Sequence, residues 1–121
     1  ARLLRGWLSE SRDRPFSAAE RAAHAALRAE GIDGWEGSAV LALAHRTVIL
    51  DVAFWRERLA LEIDGFAYHS SRKSFVQDRL RDAELGAAGW VVLRFSATTV
   101  LNEPDRFVSL VRRALESRGR S

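Results

Sequence analysis

The spacing of apolar residues changes repeatedly along this chain, and each change marks an element. From Val48 to Asp64 the pattern alternates. Val48, Leu50, Val52 and Phe54 take every second position, and after a short charged interval Leu59, Leu61 and Ile63 do the same. Side chains alternate faces along a strand, so the pattern predicts two strands joined by a turn centred on Arg56 and Glu57. The apolar set is expected to face one core together. Ile49, Asp51, Ala53 and Trp55, with Arg58, Ala60, Glu62 and Asp64, fall on the opposite face.

Around this hairpin the spacing becomes helical. "SAAERAAHAALRAEG" predicts a helix, with Ser17 as its cap, Glu20 at the capping-box position and Gly31 at its end. "GSAVLALAHRT" predicts a strand and a turn before the hairpin. "SRKSFVQDRLRDAELGAAG" predicts a second helix, with Ser74 and Gln77 as a capping box and Gly89 as its stop. "WVVLRFS" predicts a short buried strand. "NEPDRFVSLVRRALESRGRS" predicts a last helix with Pro104 in its first turn and a stripe of Phe107, Leu110, Val111, Ala114 and Leu115. The order is α-β-β-β-α-β-α. It implies an α/β fold of the α+β mixed-sheet kind, an antiparallel meander extended by a parallel strand. Residues 1–15 carry Leu3, Leu4, Trp7 and Leu8 ahead of the charged "SESRDRP", and read as an arm or linker from a preceding domain; residues 16–121 form the domain itself.

Composition narrows the function. A chain of 121 residues suits one domain, and an apolar share of 47% suits a packed core rather than disorder. No apolar run approaches the ~20 residues of a membrane helix, and no signal peptide is visible, so a cytoplasmic location is expected. The absence of cysteine excludes disulfides and thiolate metal sites. The net charge is +3, carried by arginines and the single lysine, Lys73. Arginine grips phosphate bidentately, so the balance permits a nucleic-acid partner. The chain has no methionine, even at its start, and is expected to be a piece of a longer protein with a covalent N-terminal domain.

The acids of the hairpin need an explanation. With the turn centred on Arg56-Glu57, Asp51 lies opposite Glu62; a slip of two residues would set it against Ala60 or Asp64 instead. Opposed carboxylates destabilise a sheet unless one binds a proton or a cation joins them. Mg²⁺ accepts one or two carboxylates plus water and phosphate oxygens. The competing reading is a solvated face on an edge hairpin, with Arg58 neutralising an acid.

The run "VILDVAF…LALEIDGFAYH…DRLRDAEL…GWVVLRF" resembles the small Vsr-like (very-short-patch-repair-like) endonuclease domains of the PD-(D/E)XK nuclease superfamily, over roughly residues 17–115. The resemblance implies a restriction-endonuclease-like core. It places Asp51 and Glu62 at the metal-binding positions, with the Ile63 carbonyl as a further ligand. Asp64 stands where many members carry a lysine, a departure from the superfamily pattern. His69 is implied as a proton carrier, and Glu20 as an acid that orients water or a second ion. Asp78 and Arg81 match a helical D-x-x-R, and Arg94 matches the arginine of the last strand. Beside these roles stand plainer ones: Glu20 as a cap, Asp78 and Arg81 as a surface pair, Arg94 as the end of a strand. His24 and His45 lack acidic neighbours in sequence and read as ordinary. Trp90 and Phe95 read as core. Arg72 and Lys73 border the site, as phosphate contacts or as a solvated helix entry.

The resemblance thus implies a Mg²⁺-dependent DNA endonuclease or nickase, with Mn²⁺ as a substitute metal, DNA as partner and a homodimer left open. The rival expectation is a lapsed nuclease fold that binds DNA or protein in an antitoxin-type regulator; a purely structural oligomerisation domain is the third. Retention of Asp51, Glu62 and His69 together favours activity.

Overall fold

The computed structural model describes residues 14–65 and 72–121. Helix α1 (Arg14–Ala29) leads into strands β1 (Trp35–Ala42), β2 (Thr47–Phe54) and β3 (Leu59–Asp64). Helix α2 (Arg72–Ala87), strand β4 (Val91–Ser96), the short helix α3 (Ala97–Asn102) and helix α4 (Pro104–Ser117) follow. The expected order holds, with α3 added. Ser96 starts α3 by accepting the Thr99 amide at 3.1 Å.

The strands lie in the order β1-β2-β3-β4, antiparallel for the first two pairings and parallel for the third. A parallel neighbour needs a crossover, and α2 provides it. Phe54 pairs with Leu59, so the hairpin turn spans Trp55–Arg58 and is centred where the sequence placed it. Arg58 closes it with φ of 53°.

Three helices end in the same way. Leu27 accepts the Ile32 amide across Gly31, Leu85 the Trp90 amide across Gly89, and Leu115 the Arg120 amide across Gly119. These glycines have positive φ, the left-handed turn of a Schellman cap. In the first two, the capped leucine and the residue after glycine pack in one cluster. The expected helix starts do not hold. Helix α1 begins at Arg14, ahead of Ser17, and α2 begins at Arg72, ahead of Ser74, so neither serine is an N-cap. In α4 the buried stripe is Phe107, Val108, Val111 and Leu115, while Leu110 is exposed.

Two apolar clusters sandwich the sheet. The larger joins α1, α3 and α4 to Val52, Phe54, Leu59, Leu61 and Ile63. The smaller joins Leu85 of α2 and Trp90 to Ala39, Val48, Leu50, Ala53 and Ala60. Val48 and Leu50 therefore do not share a core with Val52 and Phe54, contrary to strict alternation. The faces reverse between Leu50 and Val52. The neighbouring strand reverses at the same level: Trp35 packs with the larger cluster and Ala39 with the smaller. Ser38, between them, has φ of 49°, a left-handed value that turns the strand over. Pairing runs Gly37↔Val52, skips Ser38 and Asp51, and resumes at Ala39↔Leu50, so the register is kept through the reversal. Strand β4 is an edge strand with Phe95 as its buried residue rather than a fully buried one. Trp90 and Phe95 are core, as expected.

Candidate active site

The site forms where the β2–β3 ladder stops. Backbone pairing extends from Phe54↔Leu59 to Val52↔Leu61. Beyond it, side-chain oxygens act as acceptors for the neighbouring strand. Asp51 Oδ2 accepts the Ile63 amide at 2.8 Å, and Glu62 Oε2 accepts the Asp51 amide at 3.2 Å. Each carboxylate is thus anchored to the other's strand. Both belong to central strands covered by helices, and Asp51 is 6% exposed and Glu62 5%. The solvated-face reading does not hold.

Burial with a like charge has the expected electrostatic consequence. Asp51 is pushed up to about 7, first by burial and then by the charge of Glu20, against the Ile63 hydrogen bond. Glu62 is pushed up to about 7 by burial and by Asp51, against Arg81 and the Asp51 amide. Glu20 on α1 is therefore part of this acidic group. It shares a hydrogen bond with Asp51, and Ser38 Oγ lies 3.5 Å from its Oε2. Since α1 starts at Arg14, capping at Ser17 does not account for Glu20.

Arg81 enters from α2. Its guanidinium pairs with Glu62 Oε1 and donates to the Ile49 carbonyl at 2.9 Å. One side chain thereby spans the parted strands β2 and β3. Asp78 is half-buried on the preceding turn of α2.

Arg94 and Asp64 form a second group. Arg94 lies beside Glu62 in the parallel register, and its guanidinium binds Asp64 at 3.0 Å and Asp82 at 3.0 Å. Burial opposes its charge, but the two aspartates outweigh that and hold it more firmly protonated than usual. Asp64 thus faces an arginine, not the acidic pair. Arg72 and Lys73 are exposed at the start of α2. His69 lies outside the described residues.

One neighbour was not legible as part of the site. His24 follows Glu20 by one helical turn, and its Nε2 donates to the Asp51 carbonyl at 3.1 Å. Its pKa is lowered, chiefly by burial. The only sequence signal was its i+4 spacing from Glu20. His45 is exposed in the β1–β2 turn.

Among the described residues, no group of three His, Asp or Glu side chains forms a ready metal cage. The donors that do meet, the Asp51 and Glu62 carboxylates, are hard oxygens whose mutual repulsion a divalent cation would relieve, which fits Mg²⁺ with water completing its shell. No described helix is long and apolar enough to cross a membrane.

A mixed four-stranded sheet between helices, with two acids crowded on its central strands, defines a restriction-endonuclease-like domain. The catalytic domain of homing endonuclease I-Bth0305I shares the fold with a TM-score of 0.67, covering 84% of this chain and 97% of that one at 20% identity. Residues 20–115 match the REase_MTES_1575 family, and the chain belongs to this restriction-endonuclease-like family. No functionally curated protein matches the sequence.

Proposed function

We propose that the protein is a metal-dependent endonuclease or nickase that hydrolyses phosphodiester bonds in DNA, of the Vsr-like branch. The observation that carries the reading is the Asp51–Glu62 pair, two buried carboxylates anchored to each other's strands. A sheet gains nothing from burying like charges side by side, and a divalent cation held by the pair would account for their placement.

In this reading Asp51 and Glu62, with the Ile63 carbonyl, hold Mg²⁺ or Mn²⁺. The bound ion supplies Lewis-acid stabilisation of charge on the phosphate. Glu20 orients water from the α1 side. Arg81 keeps Glu62 aimed and offsets its charge. His69 carries the proton of the attacking or leaving oxygen. Arg94 fixes Asp64, whose position would otherwise hold a lysine. Arg72 and Lys73, exposed at the entry of α2, contact backbone phosphates, which makes affinity salt-sensitive.

A second reading has its own observation. Arg81 already offers Glu62 a cation, as expected of a lapsed nuclease that only binds DNA. Nicking of supercoiled plasmid decides between them. The endonuclease reading expects relaxation with Mg²⁺ or Mn²⁺, lost in Asp51→Ala. Binding without cutting, or equal cutting by Asp51→Ala, sinks it.

A further inference from the structure

His24 sits at the point where both strands reverse their faces. Its ring lies flush on the β1 backbone: a Cβ built on Gly37 would stand 2.7 Å from His24 Cε1 and 2.9 Å from Nε2, closer than packed atoms allow. The ring also packs on Trp35, two residues earlier in β1, with centroids 5.1 Å apart and the planes tilted by 35°. This α1 side chain is thus packed closely against β1. From there Nε2 reaches the Asp51 carbonyl at 3.1 Å. A carbonyl only accepts, so Nε2 carries the hydrogen. This bond falls at the step where β1–β2 pairing skips Ser38 and Asp51. The adjoining N–H of Asp51 is held by Glu62, and its carboxylate by the Ile63 amide.

We propose that His24 is a positioning residue for Asp51, with Gly37 as the seat that lets its imidazole reach the Asp51 carbonyl and fix the aim of the carboxylate. The inference rests on the reading of Asp51 as a metal ligand. A side chain on α1, outside the acidic pair, would then set the geometry in which the cation is held. Glycine at position 37 is explained by the same contact, because any larger residue there displaces the ring.

The test uses the full chain with His24→Leu, His24→Gln and Gly37→Ala. Gln keeps an N–H donor near the position of Nε2, and Leu fills the volume without one. Mn²⁺ affinity is measured by calorimetry, and the exchange rate of the Ile63 amide, which donates to Asp51, is measured by NMR without metal. His24→Leu and Gly37→Ala are expected to weaken Mn²⁺ binding about 10–100-fold, the usual cost of losing an outer-shell partner, and to speed Ile63 exchange. His24→Gln should restore both toward wild type at a similar melting temperature. Wild-type affinity and exchange in folded His24→Leu overturn the proposal, as does a His24→Gln variant no better than His24→Leu. Should His24→Leu not fold, Gly37→Ala carries the comparison, keeping the imidazole in the chain but displacing it from its seat. Wild-type protein that binds no Mn²⁺ removes the metal reading instead, and Ile63 exchange still decides whether His24 holds Asp51.

Discussion

The Glu62 carboxylate accepts the backbone N–H of Asp51 at 3.2 Å, across two strands that have stopped pairing through their backbones. The Asp51 carboxylate returns the relationship one residue further on, at Ile63. The acids are therefore part of the sheet's own hydrogen bonding, and replacing one alters both charge and strand pairing.

Asp51→Asn separates these effects. Asparagine keeps an oxygen to accept the Ile63 amide and removes one of the two like charges. Metal-dependent nicking should fall to background. At pH 8 without metal the variant should be more stable than wild type, by on the order of 1–2 kcal/mol, because a buried unneutralised charge is gone. The urea midpoint with and without Mg²⁺ checks this; wild type alone should gain from Mg²⁺.

The same pair sets a pH dependence with an unusual sign. Asp51 and Glu62 rise from ordinary values of 3.8 and 4.5 to about 7 in the fold. Between about pH 4 and 7 the native state holds more protons than the unfolded chain, so stability falls as pH rises through that window and levels off above it. Thermal melts of metal-free protein should show a higher melting temperature at pH 5 than at pH 8, a difference reduced in Asp51→Asn. An increase from pH 5 to 8 would contradict the site's electrostatics.

Arg81→Leu leaves Glu62 buried without its cation. The expected loss is about 2 kcal/mol at pH 8, the scale of a hydrogen bond to a charged group. It shrinks at pH 5, where Glu62 can protonate. In the double variant Arg81→Leu/Glu62→Gln the losses should not add, which a denaturation cycle would show. Arg94 is a contrast, since its partners Asp64 and Asp82 are more exposed. Arg94→Ala should cost no more than about 1 kcal/mol.

Two glycines of α2 and its cap should respond with opposite signs. Gly89 has φ of 91°, so Gly89→Ala forces a left-handed alanine and costs about 1–2 kcal/mol. Gly86 lies within the helix with nothing near its missing Cβ, so Gly86→Ala should stabilise by about 0.5–1 kcal/mol. Chemical denaturation of both variants distinguishes a Schellman cap at Gly89 from an ordinary loop.

Much of the fold was written in local pattern. Alternation marked β2 and β3, and the charged interval at Arg56-Glu57 marked their turn. Gly31 and Gly89 marked helix ends because only a residue without Cβ enters the left-handed region freely. Helix starts were less legible. Ser17 and Ser74 have capping chemistry, but helical backbone begins before both, at Arg14 and at Arg72.

The sequence by itself determined the order of the main strands and helices and that Asp51 and Glu62 share a face of the hairpin, because these follow from side-chain period over neighbouring residues; a two-residue slip stayed open, and the tertiary structure set Asp51 against Glu62. Only the tertiary structure decided that Val48 and Leu50 pack opposite Val52 and Phe54, since the reversal depends on a left-handed Ser38 in one strand matched by its partner. It also decided that Arg81 bridges Glu62 and Ile49, and that His24 reaches the Asp51 carbonyl. Those contacts join elements far apart in the chain, and helix packing, which no local period encodes, fixes which side chains arrive.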